Sequence, residues 1–186
     1  MSRIFLTSDT HFYHTNIITY SKRPFLNTAG EPDTALMNKT LVERWNSVVT
    51  SPSDVVYFLG DFALGYKPAG FTVDDVKNIR EQLNGKIYIY PGNHDPGKRL
   101  LAHWNLEILP RHFSLELEGI KFLLGHYPAP TEDVAHYHGC DFKVCGHVHE
   151  AWPRKGHCIN VGVDVRNFTP VSAEELVQIA RTPLPP

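Results

Sequence analysis

Five short motifs spread along the chain each close a strand-like run and each carry metal-binding side chains. They are Asp9-Thr10-His11, Gly60-Asp61, Gly92-Asn93-His94-Asp95, Gly125-His126 and Gly146-His147-Val148-His149. Asp95 apart, they supply two carboxylates, one amide and five imidazoles. That set can hold two metal ions and leave one histidine for proton transfer. A fold that uses them has to bring five strand ends to one edge, and most of the remaining chain is then scaffold.

The order of elements is compatible with that demand. Residues 3–8 read as a buried strand, 34–49 as a helix with Leu36, Met37, Leu41, Trp45 and Val48 on its apolar positions, and Asp33 or Thr34 as its cap. Strand 54–59, helix 73–84 stopped by Gly85, strand 86–90, a short helix near 97–104 and a short strand 106–109 follow. Then the period changes to two. Residues 112–117 and 120–124 alternate around Glu118-Gly119, which predicts a hairpin. Strands 142–145 and 158–161 and a last helix from Ser172 complete the chain. Strand and helix alternate first and strands dominate later, so sheets in the middle with helices outside is the favoured layering. Ligands bind past the carboxyl ends of strands in open α/β sheets, and each motif sits at such an end.

Size and charge narrow the classes. A chain of 186 residues suits one domain over residues 1–186 with a full core. At 42% apolar and 20% charged it reads as soluble, and no apolar run reaches the roughly 18 residues of a membrane span. Met1-Ser2-Arg3-Ile4 enters a strand-like run at once, which leaves no room for a secretory signal, so a cytoplasmic location is expected. A net charge of -2 gives no global footprint for nucleic acid. Cys140, Cys145 and Cys158 match no paired metal-binding spacing and read as reduced, buried apolar residues. No obligate protein partner is evident.

Two cations need a ligand that can bridge them. Asp61 is the natural bridge, because Gly60 lets the chain turn sharply after the apolar run Val55 to Leu59. Asp9 and His11, and again His147 and His149, alternate along what reads as extended chain, so each pair can point one way. Two such pairs fit ions about 3.5–4 Å apart, as in two-metal hydrolases.

In this order the five motifs resemble the calcineurin-like metallophosphoesterase superfamily, from Asp9 to His149. The opening Ser8-Asp9-Thr10-His11-Phe12-Tyr13-His14-Thr15-Asn16-Ile17-Ile18 is similar to a small bacterial and phage branch of it. The resemblance implies a four-layer α-β-β-α sandwich with two mixed sheets. It implies one metal on Asp9, His11, Asp61 and His149, and a second on Asp61, Asn93, His126 and His147. It makes His94 a catalytic residue meeting the leaving-group oxygen, with Asp95 orienting it. It also implies a dinuclear phosphoesterase in which hydroxide formed between the ions attacks phosphorus in line. Nitrogen and oxygen ligands without thiolate suit two divalent ions, Mn²⁺ first, with Fe, Ni²⁺, Co²⁺ or Zn²⁺ as alternatives.

The family's protein serine/threonine phosphatases carry an aspartate and a phosphate-gripping arginine just after Gly-Asp. Here that stretch is Phe62-Ala63-Leu64-Gly65, which disfavours that role. A chain without a cap insertion should leave an open site, so a phosphodiesterase acting on nucleotides or nucleic-acid ends is expected. Phosphomonoesterase and non-catalytic scaffold are the alternatives. His14 and Arg23 are the candidate substrate contacts, Arg23 as a bidentate phosphate grip. Asp164 and Arg166 could reach the site edge or cap the last helix. Tyr13, Tyr66, Phe71 and Trp152 could stack a base, and Lys67, Lys98, Arg99, Arg154 and Lys155 could form a basic track.

Overall fold

Alternating large side chains give the first sheet two apolar faces. In the computed structural model, which describes residues 2–64, 70–129 and 139–183, strands β1 (Ile4–Thr7), β2 (Val55–Phe58), β3 (Lys86–Ile89) and β4 (Glu107–Ile108) run parallel in that order. Strand β10 (Val171–Ser172) joins antiparallel to β1. Phe5, Val56, Phe58, Ile87 and Ile89 turn to one face, where α1 (Thr15–Tyr20), α2 (Thr34–Val48), α3 (Val73–Gln82) and α4 (Lys98–His103) cover them with Ile17, Ile18, Met37, Leu41, Trp45, Val76 and Leu101.

Leu6 and Leu59 turn the other way. They pack with Phe122, Leu124, Val144 and Ile159 of a second sheet, and α5 (Ala173–Arg181) adds Leu176, Val177 and Ala180 to this inter-sheet core. The second sheet comprises β5 (Ser114–Leu117), β6 (Ile120–Leu124), β7 (Phe142–Cys145), β8 (Arg154–Lys155) and β9 (Cys158–Asn160), in the order β5-β6-β7-β9-β8. Strands β6, β7 and β9 are parallel; β5 and β8 are antiparallel to their neighbours. Both sheets are therefore mixed, as the resemblance implied.

Local chemistry explains the ends. The Asp33 carboxylate accepts the Leu36 amide at 2.8 Å to start α2, and Ser172 accepts from the Glu175 amide at 3.1 Å to start α5. Glu118 and Gly119 both take positive φ (47° and 78°) between the paired residues Leu117 and Ile120, the geometry of a two-residue hairpin turn. Helix α1 and the two-residue strands β8 and β10 were not expected. They are too short to display a hydrophobic period. The three cysteines are free and buried, as small apolar residues should be. No described helix is long and apolar enough to cross a membrane.

One consequence matters for function. Strands β1, β2 and β3 of the first sheet and β6 and β7 of the second each hand the chain directly to one of the five motifs.

Candidate metal centre

Beyond the last ladder bonds, the motif loops bind one another through their backbones. The amide of Asp9 donates to the Gly60 carbonyl (2.9 Å), that of His11 to Asp61 (3.0 Å) and that of Phe12 to Phe62 (2.9 Å). The amide of His147 donates to both oxygens of Asp9 at 3.1 Å, bringing the second sheet's loop onto the first sheet's. The expected extended segments are not what form here. Asp9, His11 and Tyr13 have φ of 59°, 50° and 63°, and His147 and His149 have 70° and 46°. Asp61 joins them at 60°. Left-handed backbone at non-glycine residues is uncommon and costs on the order of 1–3 kcal/mol at each. The i, i+2 pairs share a direction because every second residue is left-handed, not because the chain is pleated.

These loops assemble two triads. Ligand atoms of Asp9, His11 and His149 lie within 4.8 Å of one another, and so do those of Asp61, His126 and His147. Asp61 joins the two: its Oδ2 is 3.5 Å from His11 Nε2 and 3.4 Å from His126 Nε2. The other oxygen, Oδ1, accepts the His94 amide at 2.8 Å. Asn93 Oδ1 lies 3.1 Å from His126 Nε2, extending the second triad. Atoms sharing one tetrahedral ion at about 2.0–2.2 Å stand about 3.4 Å apart, and the two Asp61 Oδ2 contacts have that spacing. The first triad is the more enclosed of the two, with Asp9 and His11 buried and His149 partly so, whereas Asn93 and His147 are exposed.

The imidazole tautomers fit cations. His126 Nδ1 faces the Leu59 carbonyl at 2.8 Å, and His149 Nδ1 faces Asp164 Oδ2 at 2.9 Å. Both partners can only accept, so both Nδ1 atoms carry protons, and each Nε2 is left to offer a lone pair. His11 Nε2 is fully buried without a hydrogen-bond partner, an arrangement that normally needs a reason. A divalent ion beside Asp61 Oδ2 supplies one.

Charge is arranged accordingly. Burial pushes the Asp9 carboxyl up to about 6, against the pull of His149 and His126. Burial also raises Asp61, but the hydrogen bond and charge of His126, with His11, bring it down to about 2. Burial lowers His126 and His149, and their bonds to Asp61 and Asp164 more than reverse it. Burial holds the His11 imidazole well below its usual value. A proton on His126 can balance Asp61 in the metal-free protein; a cation can take its place.

Close approach makes two glycines necessary. A Cβ on Gly60 (φ 94°) would stand 2.6 Å from both the Gly92 amide nitrogen and His126 Nδ1. One on Gly92 would overlap Asp61 Oδ1.

Three expected site residues are placed differently from one another. His94 lies at the opening, with its ring 5.1 Å from that of His11 and 5.8 Å from that of His14. His14 is there too, its Nδ1 3.3 Å from His11 Nδ1. Asp95 does not reach the His94 ring. Its carboxylate accepts the amides of Asp61 (2.7 Å), Phe62 (2.8 Å) and Gly92 (2.8 Å), and so clamps two motif loops together. Burial raises its carboxyl pKa, with those amides pulling the other way.

Arg23 is not a free phosphate grip. It is buried, and its guanidinium donates to both oxygens of Asp164 (2.8 and 3.0 Å), to the carbonyls of Asp9 (2.7 Å) and Thr10 (3.0 Å), and to Met37 Sδ. All five donors are engaged. Asp164 does not cap α5; Ser172 does. Arg166 donates to the Asn160 and Pro153 carbonyls. Tyr13 and Phe71 stack on each other at 4.8 Å against the core. Arg154 donates to carbonyls of Ile179 and Thr182 at the end of α5, so it is not part of an open basic track. Tyr66 and Lys67 lie outside the described residues.

Two residues escaped sequence reading. Asn160 is fully buried and holds the His149 and Trp152 carbonyls and the Gly162 amide. Tyr127 places its ring 4.7 Å from that of His147, half exposed. The Gly-His motif immediately before it was the available signal.

A hydrolase that acts on phosphate esters with divalent cations is the class this fold and donor set define. Residues 2–169 match the calcineurin-like phosphoesterase superfamily domain, and the chain belongs to that superfamily. It is 36% identical to the uncharacterised protein MJ1445 of Methanocaldococcus jannaschii, over 96% of this chain and 92% of that one. The crystal structure of AQ665, a protein of unknown function from Aquifex aeolicus, superposes with a TM-score of 0.74 at 26% identity, covering 96% of this chain and all of that one. A structure described as a novel archaeal phosphodiesterase is similar at a TM-score of 0.48 and 18% identity, over 86% of this chain and 82% of that one. At that distance it says nothing of this chain's substrate.

Proposed function

We propose that the protein is a dinuclear phosphodiesterase acting on nucleotides or nucleic-acid ends. The observation that carries the dinuclear reading is the single oxygen, Asp61 Oδ2, at 3.5 Å from His11 Nε2 and 3.4 Å from His126 Nε2. Asp9, His11, Asp61 and His149 would hold one divalent ion, and Asp61, Asn93, His126 and His147 the other, Mn²⁺ being the first choice. Such a pair lowers the pKa of a shared water and neutralises phosphate oxygens.

The chain's own residues do the rest. His94 at the opening donates a proton to the departing ester oxygen. With His11 Nε2 committed to a cation, its Nδ1 donates to His14 Nδ1, so His14 presents a protonated Nε2 as a donor for a non-bridging phosphate oxygen. Asp95 holds the Asp61 and Gly92 loops in register. Arg23 is fully engaged, so it offers a dianionic monoester no guanidinium. A diester carries one charge fewer and needs no such grip. The site is open to solvent at Asn93 and His147, as a diester's second substituent requires.

Hydrolysis of bis-p-nitrophenyl phosphate beside p-nitrophenyl phosphate, by stripped protein titrated with Mn²⁺, tests this. Metal-dependent cleavage favouring the diester is expected. Preference for the monoester refutes the diester reading, and silence on both with metal bound refutes catalysis on simple esters.

A further inference from the structure

Asp164 and Arg23 lie 141 residues apart in sequence and meet as a buried bidentate pair, at 2.8 and 3.0 Å, with side chains 2% and 0% exposed. Neither side chain stops there. The Asp164 oxygen that takes Arg23 Nη2 also takes His149 Nδ1 at 2.9 Å. The same Nη2 donates to the Asp9 carbonyl at 2.7 Å, and Nη1 to Thr10 at 3.0 Å. One rigid ionic unit thus touches His149 from the second sheet's loop and the left-handed backbone of Asp9 from the first sheet's loop.

We propose that Arg23 and Asp164 are a positioning pair for one metal of the two. On this view they fix the His149 ring with Nε2 toward the ion and hold the Asp9-Thr10 turn that aims the Asp9 carboxylate. The inference builds on the metal-centre reading above.

Two physical arguments favour positioning over plain stabilisation. A buried ion pair is a weak source of stability, because desolvating both charges offsets most of their attraction, and apolar replacements of similar volume are often neutral or stabilising. The geometry is also one-sided. The pair touches Asp9 and His149 of the enclosed triad, and no hydrogen bond joins it to Asp61, Asn93, His126 or His147 among the described residues. A carboxylate on the far nitrogen of a ligating histidine sets its tautomer and raises its basicity, and losing such a partner typically costs 10–100-fold in metal affinity. A device for general stability would act on both sites or neither.

The test uses the whole chain, stripped of metal and titrated with Mn²⁺ in a calorimeter. Wild type should show two binding events. Asp164→Asn should weaken one by about 10–100-fold and leave the other unchanged. Because Asp164→Asn strands a buried guanidinium and can impair folding, the double variant Arg23→Met/Asp164→Leu removes both charges at similar volume. It leaves the Asp9 and Thr10 carbonyls and His149 Nδ1 without these partners, so its metal-free melting temperature should fall; titrated below that temperature, the folded protein should still show one site weakened. Two undisturbed sites in a folded double variant overturn the proposal. Wild type binding no metal sinks the metal-centre reading itself, which is a separable result. An independent readout needs no mutation: in Zn²⁺-loaded wild type, nitrogen NMR should place the His149 proton on Nδ1 and the metal on Nε2. Metal on Nδ1 overturns the proposal.

Discussion

Replacing Asp95 with asparagine separates two roles that its sequence position cannot distinguish. Its Oδ2 accepts the amides of Asp61 and Gly92, and its Oδ1 that of Phe62. An asparagine can turn its single oxygen to the first two. Its NH₂ group then faces the Phe62 amide, donor against donor. One charge-assisted bond is lost and one buried N–H is left unpaired, while relief of the buried charge works the other way. The net cost is about 2 kcal/mol. For a chain of this length that lowers the melting temperature by about 4–8 °C. The loosened loops carry Asp61 and Asn93, so metal affinity should fall together with kcat. Asp95→Ala would leave three amides unpaired, on the order of 5 kcal/mol, which approaches the whole stability of many domains; asparagine is therefore the informative change. Thermal unfolding of stripped protein, metal titration and diesterase kinetics measure the three effects. A wild-type melting temperature and metal affinity with kcat alone reduced would refute the clamp and return Asp95 to the role of orienting His94.

Other outcomes follow from the same geometry. His94→Ala should lower kcat by about 10²–10⁴-fold with both metals retained by elemental analysis; loss of metal would make His94 a ligand. Gly92 has no positive φ, so Gly92→Ala strains no backbone angle, but its Cβ would press on both the Oδ1 and, at 2.7 Å, the backbone nitrogen of Asp61. A displacement of about 1 Å there should cost about 100-fold in kcat, checked by kinetics at saturating metal. The Asp9 carboxyl, raised to about 6, keeps its proton in the metal-free protein up to that pH. The stability this neutral form contributes is lost as pH rises from the unfolded value of 3.8 through about 6. A cation has to displace the same proton, so the rise in melting temperature on adding Mn²⁺ should grow between pH 5 and 7; a constant rise would contradict it. His147→Ala, on the exposed side, should weaken one metal site while leaving the enclosed triad's site intact, read by calorimetry.

Much of the fold could be read from local pattern. The helices around Trp45 and Ile79 announce themselves by period, and the Glu118-Gly119 hairpin by its turn residues, because such signals are carried by neighbours in sequence. The donor set was legible for the same kind of reason: Asp9, Asp61, Asn93, His126 and the His147/His149 pair each follow a strand, and parallel strands end together. What stayed hidden was every relation set by distant chain. Arg23 reads as a bidentate phosphate grip until Asp164 is found beside it. Asp95 reads as the partner of His94 until the amides of Asp61 and Phe62 are seen to reach it first. The direction of Asp9 and His11 depends on left-handed backbone that only the packed loops can hold. By itself the sequence determined which ligand atoms were available and at which sheet edge. The tertiary structure decided how closely those atoms gather and which charges are taken up in holding them, because burial and hydrogen bonding between loops up to 141 residues apart choose each side chain's partner.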